Sequence, residues 1–254
     1  MATIDVCTYN GETDLYEIRF NMLDPFVDEF IVVEANKTFS GHSKPLYFKS
    51  HKRFSEKKVQ YYAVEDWQDT KLWEMALTNK ATKGADHWKQ EFYIKESIKK
   101  ALIHLDDDDL CFVGDCDEIW DYRNIVLNQK IKLKVYAYWL DNSSDEKFWG
   151  GIWTKYENIR NSCLNDLRND LPKSELYGGW HFTSMGGLDE IRRKLSDSYS
   201  EKDYWTPQIQ ENIGKSMEEN KDWLGRNFEF KVDESEWPDY LKKNKDRYIY
   251  LCKK

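Results

Sequence analysis

The stretch Leu110-Cys111-Phe112-Val113-Gly114-Asp115-Cys116-Asp117-Glu118-Ile119-Trp120 runs from an apolar segment straight into acidic residues. A short apolar run of this kind reads as a strand buried on both faces. Carboxylates at the end of such a strand belong at the crevice beyond the strand carboxyl ends, where open α/β sheets bind their ligands. Residues i and i+2 of an extended segment share a face, so Asp115 and Asp117 address one hard cation while Cys116 turns toward the core. Oxygen ligands point to Mg²⁺ or Mn²⁺, which take few protein ligands and leave positions for substrate phosphates. The competing reading is a capped, solvated turn, because a lone D-x-D is common. The buried strand in front of it is what favours the metal.

The pattern on either side of this strand is α/β. Before it, a helix from about Trp88 to His104 places Phe92, Ile98 and Leu102 on one stripe. Lys95 falls on that stripe and therefore needs a buried anion or a carboxylate partner, for which Glu91 stands one turn earlier. The run Asp106 to Asp109 precedes the strand, at the end opposite the crevice, and reads as a solvated loop. Near the start, Ile4 to Tyr9 reads as a strand, Leu15, Ile18 and Met22 recur at helical spacing, and Phe30 to Ala35 reads as another buried strand. Strands alternating with helices predict a mostly parallel sheet. After it, Leu133, Val135, Ala137 and Trp139 alternate with polar residues, with Phe148 to Tyr156 as an antiparallel partner, and Leu188, Ile191 and Leu195 mark a later helix. The segment Tyr240 to Leu251 follows no period.

Composition narrows the function. The 254 residues hold 38 Lys and Arg against 46 Asp and Glu, a net charge of −8 with Lys interleaved among the acids, which argues against a long nucleic-acid partner. No apolar run approaches the roughly 20 residues of a membrane span, and no repeat or linker divides the chain. The 5 cysteines include no C-x-x-C pair, which fits reduced thiols and a cytoplasmic setting. Eleven Trp and 16 Tyr suit a large core and also suit sugars. Among the histidines, His181 stands out in Tyr177-Gly178-Gly179-Trp180-His181-Phe182, where glycines permit close approach and Trp180 offers a stacking plane.

These motifs are collinear with a known family. Asp14-Leu15-Tyr16-Glu17-Ile18-Arg19-Phe20, the segment Val27 to Gly41, Lys44-Pro45-Leu46-Tyr47-Phe48, Asp115-Cys116-Asp117-Glu118-Ile119, Gly179-Trp180-His181 and the segment Tyr240 to Tyr248 together resemble glycosyltransferase family 17. The resemblance implies a GT-A-type fold, Rossmann-like with a mostly parallel central sheet and flanking helices, as one catalytic domain over 1–254. Residues 1–120 would be the nucleotide-sugar half and 121–254 the acceptor half. It further implies a UDP-sugar donor, UDP-N-acetylglucosamine in characterised members, a carbohydrate acceptor, Mn²⁺ or Mg²⁺ on the D-x-D, and inversion at the anomeric carbon. By the same resemblance Asp115 and Asp117 would carry metal and diphosphate, and His181 would approach them from the far side. Asn10, Glu12 and Glu34 would lie near the nucleoside. Lys95 is not carried by the resemblance, since Ile94-Lys95-Glu96 stands where family members often show Gln-Arg-Asn; its place on the apolar stripe offers two readings, a contact to the donor diphosphate or a structural pair with a carboxylate. Glu146, Asp141 and Asp189 are the candidates for the base that deprotonates an acceptor held between Trp180-His181 and the Trp139 to Trp153 region. The amino-terminal anchor and luminal cysteines of animal members have no counterpart here, so a cytosolic microbial or viral relative is expected. Rival readings are a metal-dependent phosphatase of the haloacid-dehalogenase type and a non-catalytic carbohydrate-binding protein.

Overall fold

The structure is a computed structural model that describes residues 1–50, 58–82, 86–199 and 204–253. In chain order its principal elements are β1 (Thr3–Tyr9), α1 (Thr13–Leu23), β2 (Glu29–Ala35), β3 (Val59–Val64), α2 (Thr70–Thr78), α3 (Asp86–Ala101), β4 (Leu110–Asp115) and β5 (Glu118–Trp120). There follow β6 (Gln129–Ala137), β7 (Asn142–Lys155), α4 (Tyr156–Asn161), α5 (Leu164–Asp170), β8 (Lys173–Thr183), α6 (Leu188–Ser198), α7 (Pro207–Glu218), β9 (Phe230–Val232) and α8 (Asp239–Lys243), with a closing 3-10 turn over Lys245–Leu251.

The strands form one nine-stranded sheet in the order β3-β2-β1-β4-β7-β6-β8-β5, with β9 paired to β7. Its first half, β3 to β4, is entirely parallel. Beyond β4 the sheet is mostly antiparallel, with β6 and β8 the parallel exception. The mostly parallel sheet expected from sequence is therefore true of the first half only. The reason lies in the connections. Helical crossovers separate β1 from β2 and β3 from β4, whereas β6 and β7 are joined through 138–141, a link short enough to return only as an antiparallel partner. The architecture remains the α/β, GT-A-like arrangement of a central sheet between helices.

Helices cover both faces of the parallel half. Leu15, Ile18 and Leu23 of α1 pack with Cys7, Phe30 and Val32 on one face. Ile94, Ile98 and Leu102, from α3 and the residue just after it, pack with Ile4, Val6 and Ile31 on the other. The chain changes face between β2 and β4, and the strand order reverses beside β1. This is the switch point at which the carboxyl ends of neighbouring strands part and leave a crevice. Buried residues run all round α1, from Leu15 to Phe20. Its outer side is covered by the chain's end, where the Tyr248 hydroxyl donates to Glu17 Oε1 at 3.1 Å and Leu251 joins the core. The tail's packing on α1 explains why its sequence shows no period of its own.

Candidate functional site

At the switch point Thr8 and Asp115 are register partners on β1 and β4, and Thr8 Oγ1 donates to Asp115 Oδ1 at 2.7 Å. The chain then turns through Cys116 and Asp117 into β5. Asp115 and Asp117 both line a cavity of about 330 Å³, and Cys116 is buried in the core.

Two buried groups hold the turn. Arg19, fully buried on α1, donates from Nη1 to the carbonyl oxygens of Glu118 at 2.7 Å and Asp115 at 3.1 Å. Its other edge meets Asp5 through two bonds of 2.7 Å, and the Trp120 indole N–H reaches Asp5 Oδ1 at 2.7 Å. Glu118 accepts the Asp115 amide at 3.0 Å. Its carboxyl fits only because Gly114 and Gly150 have no side chain: a Cβ on either would come within 2.7 Å of it. Burial, then the neighbouring Asp115, push the Glu118 carboxyl above the usual carboxylate range.

Cations surround the paired carboxylates. Lys95 Nζ lies 3.5 Å and Arg168 Nη2 3.6 Å from Asp115 Oδ2, and Lys95 also pairs with Glu91. Lys194 Nζ lies 2.6 Å and His181 Nε2 3.5 Å from Asp117 Oδ2. Burial alone would raise the Asp115 carboxyl, but Lys95 and Arg168 outweigh it and hold the group well below its ordinary value. Burial of Asp117 is likewise outweighed by Lys194 and His181. For His181, burial disfavours the imidazolium, yet Asp117 carries its value upward. Two polar atoms beside the cavity, His181 Nδ1 and Asn10 Oδ1, are buried with no hydrogen-bond partner among the described residues. That is an unusual condition for a buried polar atom in a finished core and is common where a ligand docks.

The donor set fits a hard divalent cation in one particular way. Both carboxylates are ionised throughout the neutral range, as a ligand must be. Among the described residues no group of three or more His, Cys, Asp and Glu side chains is arranged to hold a metal. The protein thus offers two oxygen donors, and the rest of a coordination shell would come from substrate phosphate and water, as is usual for Mg²⁺.

Several residues singled out from sequence are placed around this cavity. Asn10 lines it, its side-chain NH₂ donating to Asp197 at 3.1 Å. Glu12 lines it too, accepting the Asn10 amide at 2.6 Å. Lys95 does not itself line the cavity; it is buried on the face of α3 that meets the sheet, as the stripe predicted, and reaches the site through Asp115 at 3.5 Å.

Others are not brought to it. Glu34 is fully buried and accepts from Lys44 Nζ at 3.1 Å, the amides of Tyr47 at 2.7 Å and Phe48 at 3.0 Å, and the Tyr61 hydroxyl at 3.1 Å. Its oxygens are spent on securing the loop after β2. Asp141 is buried and accepts the Lys253 amide at 2.8 Å, tying down the tail. Glu146 pairs with Arg226 at 3.0 Å. Asp189 stands in solvent at the start of α6, with Arg192 at 3.9 Å. None of these four lines the cavity. Trp180 is corrected as well: successive side chains of β8 point to opposite faces, so His181 reaches the cavity while the Trp180 indole is buried against the Glu236 carbonyl at 2.7 Å. The ring stacked on His181 is Phe148, with centroids 4.2 Å apart.

Arg19, Arg168 and Lys194 escaped the sequence reading. Lys194 carried a signal of the kind that exposed Lys95, since it adjoins Leu195 and falls three residues after Ile191 on an amphipathic helix. Arg19 sits likewise next to Ile18.

Among the described residues no helix is long and apolar enough to cross a membrane. A family model described as glycosyltransferase family 17 matches residues 2–204. Human beta-1,4-mannosyl-glycoprotein 4-beta-N-acetylglucosaminyltransferase is 26% identical over 207 residues, which covers 78% of this chain and 34% of that protein. The rat protein of the same name is also 26% identical over 207 residues, with the same coverage. The chain therefore spans about a third of the length of the curated relatives it matches. Those relatives are mammalian rather than microbial or viral.

Proposed function

This chain belongs to glycosyltransferase family 17, and we propose that it is a transferase that moves N-acetylglucosamine from a UDP-sugar donor to a hydroxyl of a glycan acceptor in a single inverting displacement. The observation that carries this reading is the pair Asp115 and Asp117 set among Lys95, Arg168, Lys194 and His181 at the switch point of the sheet. A nucleoside diphosphate brings several negative charges, and this cation set complements them. Charge grows on the diphosphate as its bond to the anomeric carbon breaks, and cations already held in place stabilise that charge without reorganising. Phe39, Trp88 and Tyr199 give the same cavity apolar surface suited to a nucleoside base or sugar ring. Asp115 and Asp117 would hold Mn²⁺ or Mg²⁺, which when bound supplies Lewis-acid neutralisation of the leaving phosphate. The human and rat relatives are named for action on a beta-1,4-mannosyl-glycoprotein, which makes a mannose-containing glycan the first acceptor class to try.

Thermal unfolding with UDP, UDP-N-acetylglucosamine, UDP-glucose and UDP-galactose, each with and without Mn²⁺, tests the donor assignment. A ligand at 100 times its Kd stabilises the fold by about 2.7 kcal/mol. UDP-N-acetylglucosamine with Mn²⁺ is expected to give the largest rise, with UDP released on turnover. A protein that no UDP compound stabilises, and that instead cleaves p-nitrophenyl phosphate, would be a phosphatase.

A further inference from the structure

A second cavity, of about 430 Å³, is lined by the turn between β1 and α1, by Trp139, by Arg193 of α6 and by Tyr250 near the chain's end. Its size is that of an ordinary small-ligand site. Among the described residues only Glu12 and Lys194 line both cavities, so they form the wall between them. Lys194 is the residue whose Nζ lies 2.6 Å from Asp117, so this wall adjoins the paired carboxylates.

The second cavity holds three carboxylates, and they are not equivalent. Glu190 is bonded to Arg193 Nε at 2.8 Å. Asp14 receives the Tyr250 hydroxyl and lines the second cavity alone. Glu12 accepts a backbone amide, that of Asn10, and it alone of the three faces both spaces.

We infer that the second cavity takes the acceptor sugar and that Glu12 is the base that removes the proton from its attacking hydroxyl, an inference that rests on the transferase reading of the first cavity. The hydroxyl oxygen forms a bond to the anomeric carbon of the donor. The bond from that carbon to the diphosphate oxygen breaks, its electron pair leaves on the diphosphate beside Lys194, and the hydroxyl proton passes to the Glu12 carboxylate. The occupant is a neutral pyranoside: Trp139 and Tyr250 offer flat apolar faces for a sugar ring, and Asp14 and Arg193 offer hydrogen bonds to its hydroxyls. Burial lifts the Glu12 carboxyl, with Lys194 pulling it back and Asp117 adding to the rise, which makes it a better proton acceptor than an exposed glutamate.

The test is Glu12→Gln, which keeps the side chain's shape and an oxygen for the Asn10 amide. UDP-N-acetylglucosamine affinity is measured by calorimetry, and UDP release is followed with methyl β-D-mannopyranoside and with water, read on whichever acceptor the wild type uses. Donor affinity is expected to stay within about twofold while release falls by roughly a hundredfold or more. Tyr250→Ala, at an exposed position, should raise KM for the mannoside and leave donor affinity alone. Near-wild-type release by Glu12→Gln would overturn the assignment. Loss of donor affinity in that variant would overturn it too, by making Glu12 a nucleoside contact. An unchanged mannoside KM in Tyr250→Ala would remove the acceptor from this cavity. A wild type that binds no UDP-sugar fails the transferase reading itself, and this inference falls with it.

Discussion

Two acid–base clusters lie next to each other under the same turn, and they are built oppositely. Around Asp5 every contact is short: Arg19 and Trp120 approach its two oxygens at 2.7 Å, and the free edge of Arg19 is spent on backbone carbonyls. Around Asp115 and Asp117 most contacts are long, 3.5 to 3.6 Å, an imidazole nitrogen has no partner among the described residues, and one side is cavity. A saturated cluster has nothing left to offer a ligand, so its whole effect is on shape. An unsaturated one keeps charges in place that a polyanionic substrate can use. The shared turn makes the first cluster the mould of the second.

The largest effect should come from breaking the saturated cluster. Arg19→Met leaves Asp5 charged and buried without its counter-ion, so urea unfolding is expected to show a loss of about 3–5 kcal/mol, with donor binding lost as well. Stability within 1 kcal/mol of wild type, by this estimate, would erase the contrast between the clusters. Next come Asp115→Asn and Asp117→Asn. Each should lower turnover of UDP-N-acetylglucosamine with Mn²⁺ by roughly a hundredfold or more, because several kcal/mol of charge stabilisation at the leaving group are removed. Both variants should stay folded with a lowered melting temperature, since the cations that hold each carboxyl below its ordinary value stabilise the fold at neutral pH, and near-normal turnover in both would separate these carboxylates from the chemistry. Lys95→Met is milder: Arg168 still faces Asp115, so calorimetry should show UDP affinity reduced by roughly tenfold, and urea unfolding should show a smaller loss of stability than Arg19→Met, because Glu91 and Asp115 are less buried than Asp5. At the small end, Asp189→Asn and Glu146→Gln, on carboxylates away from the cavity, should leave transfer rates within about twofold. A large fall in either would mean that the site extends beyond the lining described above.

What could be read from sequence was what is local. The run from Leu110 to Trp120 carries its strand, its turn and its carboxylates in consecutive residues, and it emerges in the structure as β4, the turn and β5. Lys95 was legible because a charge on an apolar stripe contradicts its surroundings. Arg168 carried no such signal, and the signal at Lys194 names no partner, since what makes both matter is that α5 and α6 dock their side chains beside a turn far away in the chain. Trp180 shows a finer failure. Both it and its neighbour His181 looked suited to a ligand, but a strand gives adjacent residues opposite faces, and the register of β8 on β5 decides which one is inside. Glu34 shows another limit: it does not line the cavity, although its neighbours Val33 and Ala35 and its partner Lys44 do. A carboxylate ending a buried strand at the crevice resembles Asp115 in sequence, and only the loop that follows reveals that its oxygens are already taken.

The reach of Arg19 also says when the site can come into being. Its bond to the Asp115 carbonyl joins residues 96 apart, and its bond to the Glu118 carbonyl spans 99. Such contacts form only after a long stretch of intervening chain has been closed into a loop, which is a slow event compared with winding a helix. A refolding chain should therefore recover helicity first and the D-x-D turn later, together with the docking of β4 on β1. Under the proposed function, nucleotide capture would report the setting of this turn, and during synthesis the turn stays unset until the segment through β5 has been made.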